Sequence, residues 1–143
     1  MGALSFSYTS KGEQMRREVL LTMAPDEIDV YASLVGANTS GMESLAEKIA
    51  AIESTRERTH EIVLLGALFS ISTRNIRDKR FQDAIGSSAR SDEQAELAAR
   101  LALGDEQWER LVERATDDDG VIDIDALGLA VARILNNPEL KNY

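Results

Sequence analysis

Apolar residues recur along most of this chain at helical spacing. In KGEQMRREVLLTM, Met15, Val19 and Met23 fall every four residues, and Ser10 with Glu13 forms a capping box, so a helix is predicted over 11–23. Pro25 opens a second helix with Asp26, Glu27 and Asp29 at its positive end. Ile28, Tyr31, Ala32, Leu34 and Val35 supply its inner face, and Gly36 closes it. Ser40 and Glu43 form another capping box. Met42, Leu45, Ile49 and Ile52 follow it as a coiled-coil-like stripe. ESTRERTHE, 53–61, is polar all round and reads as a break or as an exposed section of one long helix.

IVLLGALFSI, 62–71, is apolar on all sides. At helical pitch such a run is a central helix covered by neighbours, or a subunit interface, with Val63, Leu64, Gly66, Ala67 and Phe69 as its contact residues. The pattern continues through Ile76, Phe81, Ala84 and Ile85 to Gly86. Ser91 and Gln94 make a third box, before a helix that buries Ala95, Leu97, Ala98, Leu101 and Ala102 and ends at Gly104. Asp105 caps the next, with Trp108, Leu111, Val112 and Ala115 inside. The last carries Leu127, Ala130, Val131, Ile134 and Leu135 and stops before Pro138. Only ALSFSYT, 3–9, alternates, with Leu4, Phe6 and Tyr8 on one face of an extended arm. The expectation is one all-α domain over 1–143, a compact, oligomeric bundle of about six helices with a short extended arm over 1–9.

Composition agrees with a helical globular domain: 43% apolar, 29% charged and only two prolines among 143 residues. The absence of cysteine excludes disulfides, thiol catalysis, Fe–S clusters and cysteine-bound zinc. A formal charge of −9 disfavours nucleic acid and anionic membranes. One segment departs from that balance: residues 56–80 carry a net +3. Its Arg74, Arg77, Lys79 and Arg80 form a basic patch suited to phosphates or an acidic partner, or to pairing with the protein's own acidic helices. The longest apolar stretch is far short of the roughly 20 residues that span a bilayer. Residues 1–10 carry no basic segment before an apolar one, so a cytoplasmic location off the membrane is expected.

Catalytic patterns are lacking: no G-x-S-x-G, phosphate loop or H-E-x-x-H occurs, and the one histidine, His60, stands beside Glu61 in the polar section. Trp108 reads as a core anchor. The richest chemistry lies in TDDDGVIDIDALG, 116–128, where the acidic stretch 116–123 lies between the last two helices. It resembles the EF-hand loop. Setting Gly120 on that family's invariant glycine puts Asp117 and Asp119 on the third and fifth positions. Val121 then falls on the carbonyl position, Ile122 on the β-forming isoleucine and Asp123 on the ninth. The first position is Ala115, and the twelfth, normally a bidentate glutamate, is Ala126. Calcium takes about six to eight oxygens, so no metal is expected. Gly120 instead turns the chain, Asp123 caps the last helix, and Asp117, Asp118, Asp119, Asp123 and Asp125 offer charge to a basic partner.

Two functions compete. The first is a non-enzymatic acidic helical interaction protein, a regulator, inhibitor or adaptor, which binds a basic protein surface, associates with itself and needs no cofactor. The second rests on residues 17–54, which resemble a ribbon-helix-helix module if 17–23 is a strand, in the order strand, helix, turn, helix. That resemblance implies a DNA-binding plasmid regulator or relaxosome accessory protein whose remaining helices oligomerise. The Ser10–Glu13 box and the acidic balance of the module weigh against it.

Overall fold

A computed structural model describes residues 10–138; the arm expected over 1–9 lies outside them. The described residues form eight α-helices, one short 3₁₀ turn and a two-stranded antiparallel sheet. The helices are α1 (Lys11–Thr22), α2 (Pro25–Leu34), α3 (Leu45–Ser54), α4 (Thr73–Ile76), α5 (Lys79–Ser87), α6 (Asp92–Leu103), α7 (Asp105–Arg114) and α8 (Ile124–Leu135). The strands β1 (Thr59–Leu64) and β2 (Ala67–Ser72) lie between α3 and α4. The fold is therefore mostly helical, with a hairpin where the all-α reading expects a helix. The chain packs as two compact units, the first ending at Arg56 and the second beginning at Glu57.

In the first unit the Ser10 hydroxyl accepts the Glu13 amide at 3.1 Å and starts α1. A pair between Arg17 and Glu13, one turn apart, supports it at 2.8 Å. Residues 17–22 are thus helical, and the strand that a ribbon-helix-helix module needs is absent. The Met15–Val19 stripe faces outward, and Leu20 is the residue α1 buries. It packs with Ile28, Ala32, Ala37, Ile49 and Ile52 from α2, α3 and the turn between them. Arg16 grips Glu53 of α3 through two guanidinium nitrogens, at 2.8 and 2.7 Å. The box expected from Ser40 and Glu43 does not form: Gly41 has a φ of 80°, the chain turns there, and α3 starts at Leu45.

In the second unit the apolar run 62–71 folds back on itself at Leu65 and Gly66, whose φ values are 50° and 80°. Positive φ at both central residues is what a two-residue type I′ turn demands. The register Leu64↔Ala67, Ile62↔Phe69, His60↔Ile71 puts Ile62, Leu64, Phe69 and Ile71 on one buried face. Thr59, Glu61, Val63, Leu68, Ser70 and Ser72 share the other face. The buried face packs on Ile76, Phe81 and Leu111, on alanines 98, 99 and 102 of α6, and on Ile134 of α8. Trp108 joins this core. The helix expected through 72–86 breaks at Arg77–Asp78, because the Asp78 carboxylate accepts the Arg80 amide at 2.8 Å and starts α5 afresh. Gly104, with a φ of 86°, both closes α6 and precedes α7, so Asp105 is the first residue of α7 and not its cap. Among the described residues no helix is long and apolar enough to cross a membrane.

Candidate functional site

The loop between α7 and α8 is built by its own backbone. The Asp117 amide donates to the Val121 carbonyl at 2.8 Å, and the Gly120 amide to the Asp117 carbonyl at 3.0 Å. Thr116 and Ile122 form a β-bridge, and Gly120 turns the chain with a φ of 80°. The Asp123 amide reaches back to the Ala115 carbonyl at 2.8 Å, so both ends of the loop are tied. Two aspartates are used internally. Asp117 Oδ1 accepts the amides of Asp119 and Val121 at 2.9 and 3.0 Å. Asp123 Oδ1 accepts those of Asp125 and Ala126 at 3.0 and 3.1 Å, the helix cap expected of it.

The other three carboxylates, Asp118, Asp119 and Asp125, are exposed and accept no hydrogen bond from the described residues. Apolar side chains stand among them. Val121 is 58% exposed, Ile122 51% and Ile124 80%. No three acidic or histidine side chains among the described residues are grouped to hold a metal ion. The loop is an acidic turn, hydrogen-bonded at both ends, that also leaves three branched apolar side chains exposed, a feature the sequence reading passes over. Its signal was visible: Val121, Ile122 and Ile124 interleave with the aspartates in a segment too short to fold over them.

The basic patch is divided. Arg74 and Arg77 lie in and just after α4, and Lys79 and Arg80 open α5. Lys79 pairs with Asp83 at 2.9 Å and Arg80 with Asp78 at 2.7 Å, so half of the patch pairs with acids of its own helix or that helix's cap. The Arg80 guanidinium, hydrogen-bonded to Asp78, holds that carboxyl below its usual value. His60 lies half-buried on β1, with Nε2 at 3.5 Å from the buried Thr73 hydroxyl.

The proposed oligomer interface does not survive as drawn. Leu64 and Phe69 are each 1% exposed and belong to the core, while Val63 faces out and Gly66 is exposed in the turn. Ala67 is half-buried. Helical spacing and strand alternation read alike in a run whose one polar residue is Ser70, so the pattern alone does not choose the face.

The sequence reading also missed what surrounds the hairpin. Gln107, Arg110 and Arg114 recur on one face of α7. Gln107 accepts the Ser70 amide at 2.9 Å and donates to the Ser70 carbonyl at 2.6 Å, as a neighbouring strand would. Arg110 donates to the Leu68 carbonyl at 3.3 Å, and its guanidinium carbon stands 4.8 Å from the Phe69 ring centre. Arg114 holds the Leu65 carbonyl at 2.9 Å, and Arg133 of α8 holds the Val63 carbonyl at 3.0 Å. Comparison of the chain with protein-family models, curated proteins and solved structures finds no match.

Proposed function

We propose that the protein is a non-enzymatic interaction protein whose 117–125 loop binds a basic polypeptide bearing apolar side chains. The observation that carries this reading is the juxtaposition in the loop. The unengaged carboxylates of Asp118, Asp119 and Asp125 flank the exposed Val121, Ile122 and Ile124 on a backbone hydrogen-bonded at both ends. Exposed branched side chains favour being covered, and the surrounding charge selects a cationic cover. The hydrogen-bonded backbone also lowers the ordering cost of binding. Regulator, inhibitor and adaptor are roles that such binding serves.

The test is affinity capture from cells that make the protein, with Asp118→Asn/Asp119→Asn and Ile124→Ser compared with the unaltered chain. All three positions are exposed. A basic polypeptide is expected to be retained by the unaltered chain, to be released as salt rises, and to be weakened by either variant. Retention that ignores both variants and salt refutes the proposal.

A further inference from the structure

The two edges of the hairpin are treated unequally. In a two-residue hairpin closed by Leu64 and Ala67, the backbone groups of Thr59, Glu61 and Val63 point away from β2, and those of Leu68 and Ser70 point away from β1. The edge of β2 is met by α7, where Gln107 takes both groups of Ser70 and Arg110 takes the Leu68 carbonyl. The edge of β1 has one such bond, from Arg133 to the Val63 carbonyl. The amide and carbonyl of Glu61 and the amide of Val63 have no partner among the described residues. Proteins usually block a strand edge they do not use, and here, among the described residues, the β2 edge is met by three side-chain bonds and the β1 edge by one.

The β1 edge borders a groove of about 540 Å³ whose lining includes Glu61, Val63, Arg133 and residues 136–138. The Glu61 carboxylate makes no ion pair or hydrogen bond among the described residues. The C-terminal end of α8, a negative pole, closes the groove. We infer that the edge of β1 receives an extended strand of a partner polypeptide, carrying Lys or Arg beside Glu61 and an apolar residue beside Val63. The added strand donates its amide to the Glu61 carbonyl and accepts from the Glu61 and Val63 amides. Val63, 52% exposed, gains an apolar neighbour on the outer face. A second copy fits less well, because pairing two β1 edges about Glu61 sets carboxylate against carboxylate. This site is independent of the 117–125 loop, which joins the opposite end of α8, about 18 Å away for a helix of 12 residues.

The experiment uses the full chain and the capped peptide TVTKTVT, whose Val, Lys and Val share one face. Amide hydrogen exchange at Glu61 and Val63 is expected to slow about tenfold when about nine in ten molecules carry the peptide. The same peptide N-methylated at alternate residues, or with Glu for Lys, is expected to give no protection. Glu61→Lys should reverse the Lys-over-Glu preference. Val63→Pro should abolish protection at Glu61 while the fluorescence of the buried Trp108 stays native. Absent protection at saturating peptide, or equal protection by the N-methylated peptide, overturns the inference. So does a dimer by light scattering that Val63→Pro dissolves, since the occupant is then a second copy. Peptide-induced changes confined to 117–125 overturn it while leaving the loop reading intact. Protection confined to β1 upholds it independently of the loop.

Discussion

Replacing Gln107 by alanine isolates the seal on β2. Its amide group makes the contacts of a strand neighbour with Ser70, at 2.9 and 2.6 Å, and a third bond of 2.7 Å to the Leu103 carbonyl in the preceding helix end. A net hydrogen bond contributes about 0.5–1.5 kcal/mol. Ser70 is exposed, so water replaces part of what is lost and the two cross-element bonds belong at the low end. Alanine also returns a few tenths of a kcal/mol in helix propensity. The expected loss is about 1 kcal/mol. Trp108 is the only tryptophan and lies buried in the second unit, so its fluorescence during urea unfolding reads that unit. With a slope on the order of 1–2 kcal/mol/M the midpoint should fall by roughly 0.5–1 M. Glu109→Ala is the control, an exposed position on the same helix with no side-chain partner among the described residues. A midpoint for Gln107→Ala that matches the control would falsify the view that the side chain stands in for a strand.

Gly66→Ala should destabilise the second unit by about 1–2 kcal/mol. Its φ is 80°, and an added Cβ would also lie 3.3 Å from an Arg114 guanidinium nitrogen; an unchanged urea midpoint counts against the tight turn. Asp123→Ala removes the cap of α8 and should cost about 1 kcal/mol in the same assay, whereas Asp118→Ala should leave the midpoint in place. Asp78 titrates below its usual value because Arg80 hydrogen-bonds its ionised form. That pairing stabilises the fold above the ordinary carboxylate range, and the contribution is lost as pH falls through the lowered native value. Arg80→Gln should therefore move the Asp78 carboxyl titration upward in NMR, and an unmoved midpoint removes Arg80 as the cause.

Local signals were legible wherever a single residue decides the backbone. Ser10, Ser91 and Asp123 accept the amides expected of helix caps. Gly36, Gly104 and Gly120 all take positive φ. Signals failed where two local solutions compete and tertiary packing chooses. IVLLGALFSI carries Ile62, Val63 and Ile71, β-branched residues that suit strands, around a Leu-Gly pair. A leucine in the left-handed region is costly, so Asn-Gly would have announced the hairpin and Leu-Gly did not. What Leu65 gains is contact with the core, where it packs half-buried, and that gain cannot be read from the residue alone.

The candidate surfaces differ in the same way. The aspartates of 117–125 are visible in sequence as charge, but not as a division of labour. Asp117 and Asp123 are consumed by backbone amides, which leaves Asp118, Asp119 and Asp125 to face a partner. That division makes the alanines at 115 and 126 consistent with the turn. Ala115 is 4% exposed and its carbonyl receives Asp123, so a calcium-binding carboxylate there would have to leave the core. The loop's shape is held by hydrogen bonds to its own backbone, and Asp118, Asp119 and Asp125 concentrate negative charge at the surface.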